Sequence, residues 1–203
     1  MKPFYVLIVV FVLTNCKDVS GDRVVLNEKS IDDTFAIAAV EVSKDLLVLN
    51  QLEGKWYYNN EPFNGFSVKY YSNLVLRERL GFYKGKREGV ARRWSENGVL
   101  RSESYYHENR LVDVYKSWWE NGEQAEESNY INGVKQGIEK KWFPSGQLAK
   151  LRKLVDGKEE GIQQAWLHNG KLYVNYEAKN GRIFGMRRAN SCYKLEDEVI
   201  IRN

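Results

Sequence analysis

Trp94-Ser95-Glu96-Asn97-Gly98-Val99-Leu100 is followed, 24 residues on, by Trp118-Trp119-Glu120-Asn121-Gly122-Glu123-Gln124. The same phase carries Trp142 with Gly146 and Trp166 with Gly170, and reaches back to Tyr70. A second row, Gly65, Gly89, Gly137, Gly161 and Gly185, keeps the interval, with Asp113 filling its one gap. A fixed period of roughly 20–50 residues means that one small unit is stacked several times. Numbered from its leading glycine as zero, each unit is apolar at position one (Val90, Val114, Ile138, Ile162) and aromatic at position five. Position eleven reads Leu76, Leu100, Gln124, Leu148 and Leu172, and position seventeen reads Phe82, Tyr106, Tyr130, Leu154 and Ala178.

The turn decides which side chains share a face. A two-residue Asn-Gly loop would place Ser95 opposite Leu100 and split the apolar rows. A type I turn followed by glycine in the left-handed region places Trp94 opposite Leu100 instead. That register puts positions one, five, eleven and seventeen on one face, so it is preferred. Leu74 occupies the turn-glycine position of the first clear unit, where a left-handed leucine is strained, so that turn is expected to differ. In the unit starting at Gly89 the strands fall at about 89–95 and 99–106, and a Gly-x-x-x-Gly link such as Gly85 to Gly89 feeds the next hairpin. The fold class is all-β: an elongated, single-sheet antiparallel meander of 24-residue hairpins.

The array occupies 65–184 as five units. Upstream, Val42, Leu46, Leu52 and Tyr58 fall on the four apolar rows and Asn50 on the turn glycine, so 41–64 reads as a degenerate N-terminal cap. Terminal repeats are atypical because one side lacks a neighbour. Residues 185–203 read as a closing half-unit. Residues 17–40 read as a tether, with a short element possible at Phe35 to Val40. Residues 1–16 are an address: Lys2, then the apolar run Phe4 to Leu13, then Leu13-Thr14-Asn15-Cys16. The run is too short to span a bilayer and suits a signal-peptide core. Its end resembles a bacterial lipobox, with Asn15 departing from the usual Gly, Ala or Ser. The resemblance implies lipidation at Cys16 and a chain anchored in the cell envelope. Cys192 is then alone, and reads as a small buried residue.

Segments such as Glu96-Asn97-Gly98-Val99-Leu100 and Tyr130-Ile131-Asn132-Gly133-Val134-Lys135-Gln136-Gly137 resemble the MORN-repeat variant family over about residues 53–188. The resemblance implies a membrane- or partner-binding repeat protein. One bacterial branch of the family is described as antitoxin-like, a cytoplasmic role at odds with an export signal.

Composition narrows the function further. Six tryptophans and 13 tyrosines suit a sheet whose rings pack while their polar tips stay wet. With only 3 prolines among 29% charged residues, this is not a disordered low-complexity chain. A net charge of +4 with interspersed acids gives no reason to invoke nucleic acid.

Two rows are candidate surfaces. Position three and its neighbour position four bring Arg92, Arg93, Lys116, Lys140 and Lys141, a stripe that could attract an anionic head group or an acidic partner. The alternative is that their stems lie on flanking rings and their charges pair with Glu103, Glu126 and Glu127 across strands. The tryptophan row could stack on a ligand or serve as a packing spine. Position six adds Trp119 and Phe143 on the other face, so Trp118, Trp119, Trp142 and Phe143 form the favoured binding patch. His107 and His168 are the only histidines. Without a metal-ligand spacing, a nucleophile motif or a phosphate loop, the chain reads as non-catalytic and without a cofactor. It reads as a scaffold for a protein or envelope partner; an antitoxin-like regulator and, more remotely, a carbohydrate-active enzyme are the alternatives.

Overall fold

The computed structural model describes residues 37–186. The strands are β1 Glu41–Ser43, β2 Val48–Asn50, β3 Lys55–Tyr58, β4 Glu61–Pro62, β5 Gly65–Tyr70, β6 Leu76–Tyr83, β7 Lys86–Trp94 and β8 Leu100–His107. They continue as β9 Arg110–Trp118, β10 Gln124–Ile131, β11 Val134–Trp142, β12 Leu148–Val155, β13 Lys158–Trp166, β14 Leu172–Lys179 and β15 Arg182–Met186. From β5 to β15 every strand pairs antiparallel with the next, in one 12-stranded sheet whose first member is β1. The address segment 1–16, most of the tether, Cys192 and the end of the closing half-unit lie outside the described residues.

The Asn-Gly corners take the three-residue loop. Gly98 donates its N–H to the Ser95 carbonyl at 2.9 Å, and Ser95 donates to the Val99 carbonyl at 2.8 Å. Trp94 lies opposite Leu100, and Trp118, Trp142 and Trp166 lie opposite Gln124, Leu148 and Leu172. Gly98 sits at φ +81, where a Cβ would be strained. The Leu74 turn does not differ from the others. Leu74 adopts φ +65 and its corner makes the same two bonds, to Tyr71 and from Tyr71 to Val75.

Two features depart from the sequence reading. The link between units is itself a tight hairpin. Lys84-Gly85, Glu108-Asn109, Asn132-Gly133, Asp156-Gly157 and Asn180-Gly181 all have both φ positive, as a type I′ turn requires. The strand of the Gly89 unit therefore starts at Lys86, not near 89. The leading glycine lies in a bulge just beyond: Glu88-Gly89-Val90 together oppose Gly81.

The second departure moves a row. Just past each Asn-Gly corner the register slips by one residue: Trp94 faces Leu100 but Arg93 faces Ser102, leaving Arg101 as the extra residue. Parity flips at that bulge. Gly89 is thus opposite Tyr106 and Val90 opposite Tyr105. Positions one, three, five and eleven share one face, here called the tryptophan face. Position seventeen is on the opposite face, with positions two, four, thirteen and fifteen.

Val68, Asn175 and Glu177 are buried on the tryptophan face, but that opposite face carries most of the buried residues. At its N-terminal end Leu80, Phe82 and Ala91 pack with Val42, Leu47 and Phe63, flanked by Trp56, Tyr58 and Tyr106. The 41–64 segment reaches them by a route other than an in-phase hairpin. Strand β1 pairs parallel with β5, and β2, β3 and β4 form a second sheet of their own. Phe63 and Trp56 set their rings 5.7 and 6.2 Å from that of Phe82. The fold is all-β with one long sheet, but not a single sheet. Residues 37–40 contain no helix or strand.

Candidate functional site

The hairpin tips are stitched from unit to unit. Tyr71 donates its hydroxyl to the Trp94 carbonyl at 3.0 Å, and Trp119 donates its indole N–H to the Trp142 carbonyl at 3.0 Å. In the unit between them position six is Ser95, too short for this reach, and Arg101 Nε replaces it on the Trp118 carbonyl at 2.9 Å. The turn asparagines add a second stitch. Asn121 accepts from the Glu123 N–H within its own loop and donates to the Pro144 carbonyl of the next, at 2.7 Å. Asn73 does the same with Val75 and Glu96. At the other end of the hairpins Glu88, Gln136 and Glu160 accept from the N–H groups of Glu108, Asp156 and Asn180. Sequence reasoning treated these asparagines as turn formers only and overlooked the second set. Its signal is the Glu-Gly or Gln-Gly pair that opens several units.

The candidate binding residues divide between the faces. Trp118, Trp142, Arg92, Lys116 and Lys140 lie on the tryptophan face; Trp119, Phe143, Arg93 and Lys141 lie on the other. They do not converge on one patch. The indole N–H of Trp119 is spent on the stitch, and Phe143 lies against His168 with ring centroids 3.7 Å apart. Most of the basic row is paired across strands: Arg92 with Glu103 at 2.6 Å, Arg93 with Glu78 at 2.7 Å, Lys116 with Glu127 at 3.7 Å and Lys141 with Glu126 at 3.1 Å. Lys140 faces Leu151 on one side and Glu127 on the other and makes no ion pair among the described residues.

The tryptophan face is the more open. Its tryptophans are half-buried, while Ile138 and Ile162 in the next apolar row are 39% and 38% exposed. Ile131, Val134 and Val155 extend the apolar surface toward the type I′ turns, and all are exposed. No second layer among the described residues covers this face.

The opposite face replaces its apolar core with ions as the array proceeds. Glu139 is buried, with a side chain 1% exposed, and is held by Lys135 and Arg152. Lys135 also reaches Glu126 at 2.8 Å, and Arg152 reaches Glu159 at 3.8 Å. Burial alone would raise the Glu139 pKa, but the hydrogen bonds and charges of Arg152 and Lys135 outweigh it and hold the carboxyl at about 2. Glu126 is also held below its usual range: burial opposes this, and Lys135, Lys141 and Ser128 overcome it. Among the described residues no three His, Cys, Asp or Glu side chains converge on a point that would hold a metal ion.

The family model of the MORN repeat variant matches residues 87–108 and 135–152. Each matched stretch is one hairpin, β7–β8 and β11–β12, turning on an Asn-Gly or Ser-Gly corner. The 24-residue phase carries the same corner hydrogen bonds through the neighbouring hairpins. No curated protein matches the chain.

Proposed function

We propose that this chain is a non-catalytic repeat scaffold, lipid-anchored in a bacterial envelope, that binds a protein or envelope component through its tryptophan face. One observation carries the reading. Ile138 and Ile162 stand more than a third exposed beside half-buried Trp142 and Trp166, on a face with no covering layer among the described residues. Apolar side chains gathered on an open surface mark an interaction site more often than a solvated one. Lys140, opposite Glu127 but in no ion pair among the described residues, supplies a charge for an acidic rim. The anchor is supported by the apolar run ending at Leu13-Thr14-Asn15-Cys16.

Two experiments test the proposal. Cell fractionation with lipid labelling should place a processed, Cys16-modified chain in membranes, and Cys16→Ser should release it. An unprocessed cytoplasmic chain would favour the antitoxin-like alternative. Photo-cross-linking residues placed at Ile138 and Ile162 should trap one recurrent partner that a residue at Glu120, in an exposed corner, does not. Equal yields from all positions would remove the tryptophan face from consideration.

A further inference from the structure

Between β11 and β14, on the face away from the tryptophan row, a groove encloses about 470 Å³. Its floor is made of the short side chains Ala149, Ala165 and Val174, and Phe143 and Tyr173 stand at its sides. Lys141, Lys150, Arg152 and the carboxylate of Glu159 line it with charge. Gln163, also in the lining, donates its amide N–H to the Lys153 and Gly161 carbonyls, and its buried Oε1 has no donor.

The charge count is specific. Lys135, Lys141 and Arg152 are joined by ion pairs to Glu126, Glu139 and Glu159, and Lys150 lines the groove beside them. Four cations meet three carboxylates, which leaves one positive charge over. It rests on Lys150, a half-buried ammonium with no ion pair among the described residues. Burial lowers its pKa, and Arg152 beside it lowers it further. A half-buried cation without a carboxylate beside it is partly desolvated, and a monoanion placed against it offsets that cost.

We propose that this groove binds a carboxylated sugar, the hexuronate unit of an acidic polysaccharide. One surplus charge matches a carboxylate better than a phosphate dianion. The backbone N–H and C=O groups of β11 to β14 are used in the sheet ladders, so an extended peptide would gain no main-chain bonds here. A compact ring instead fits the small-residue floor. Its hydroxyls meet the lysine ammonium groups, and its apolar face meets Phe143 and Tyr173. The groove is on the other side of the sheet from Ile138 and Ile162, so this proposal stands or falls apart from the partner surface.

The test is calorimetric titration of the full chain with trigalacturonate, the neutral galactose trimer, inorganic phosphate and a triglutamate peptide. Trigalacturonate should bind, with the neutral trimer at least about tenfold weaker, as loss of one charge-assisted contact implies. Lys150→Gln should cost a similar factor, and Lys153→Gln, on the tryptophan face, should cost nothing. NMR shift changes on the unaltered chain should fall on β11 to β14, which makes the result independent of how the variants fold. Tighter binding of phosphate or peptide, no binding of the uronate, or shifts centred on β7 and β8 would overturn the proposal.

Discussion

Glu139 is the residue on which the middle of the array depends most. Its folded pKa of about 2 lies below the ordinary 4.5, so the folded state binds this proton less readily than the unfolded chain. The resulting stabilisation is complete above about pH 4.5 and is lost as pH falls toward 2; it is on the order of 3 kcal/mol. The urea midpoint of the protein should therefore fall between pH 5 and 2.5, and Glu139→Gln should flatten that fall. At neutral pH the same variant should cost about 1–3 kcal/mol, because Lys135 and Arg152 lose a buried acceptor. A variant that kept the acid slope of the parent would show that the carboxylate is not charged in the fold. Trp119 provides a second single-residue test. Trp119→Phe keeps a ring at position six, as Phe143 does naturally, but removes the indole N–H from the Trp142 carbonyl. The expected loss is about 1 kcal/mol in chemical denaturation, and no change would show that the stitch is not formed.

Within one hairpin, the corner glycine and the bulge after it define the geometry. Leu74 reaches φ +65 in the same loop that elsewhere uses glycine, and its side chain is 83% exposed. Left-handed backbone costs an L-residue roughly 1–2 kcal/mol, partly offset by the extra unfolded-state freedom of glycine. Leu74→Gly should accordingly stabilise the protein by about 0.5–1 kcal/mol, read as a higher urea midpoint, and Gly122→Leu should lose a similar amount. The corner was legible in the sequence because only one of two loop lengths put Trp94 opposite Leu100. The bulge that follows was not. Its extra residue is Arg77, Arg101, Ala125, Ala149 or Tyr173 in successive units, a charged, a small and an aromatic type that share no property marking a bulge. A bulge of this kind is defined by backbone register alone, so position seventeen was assigned to the wrong face. The candidate site suffered for a related reason. Adjacent residues such as Trp118 and Trp119 share a sequence neighbourhood but point to opposite sides of a strand, so pairs that read as one patch became two. The cross-strand partners of Arg92 and Lys116 were legible because Glu103 and Glu127 recur at a constant offset.

Across the whole array, each strand from β6 to β14 pairs in the sheet ladder only with the strands before and after it in the chain. Stability of such an array is close to a sum of unit and neighbour terms. A deletion of residues 113–136 removes one full period and brings Val112 to Gly137 in the same phase. The leading-glycine bulge at Gly137, the Ser145-Gly146 corner and the next type I′ turn follow the cut in order, and Trp142 remains on the face of Trp94. Glu139 loses Lys135 but keeps Arg152. The shortened protein should therefore fold, with a β-sheet circular dichroism spectrum and a urea m-value lower by about a fifth, in proportion to the surface removed from one of five units. A deletion of 113–124 is half as long and should do far more damage. It removes one strand and one corner, so every strand beyond it runs in the reverse direction. Reversing a strand while the sheet keeps growing the same way turns its faces over. Trp142 and Trp166 would then be displaced to the side of Leu80 and Phe82, and the whole ionic group around Glu139 would turn with them to the side of Trp94. That variant should be insoluble or lack a cooperative transition. If instead the 24-residue deletion failed to fold and the 12-residue deletion folded, stability would not reside in neighbouring hairpins. Contacts beyond nearest neighbours would then have to hold the sheet together.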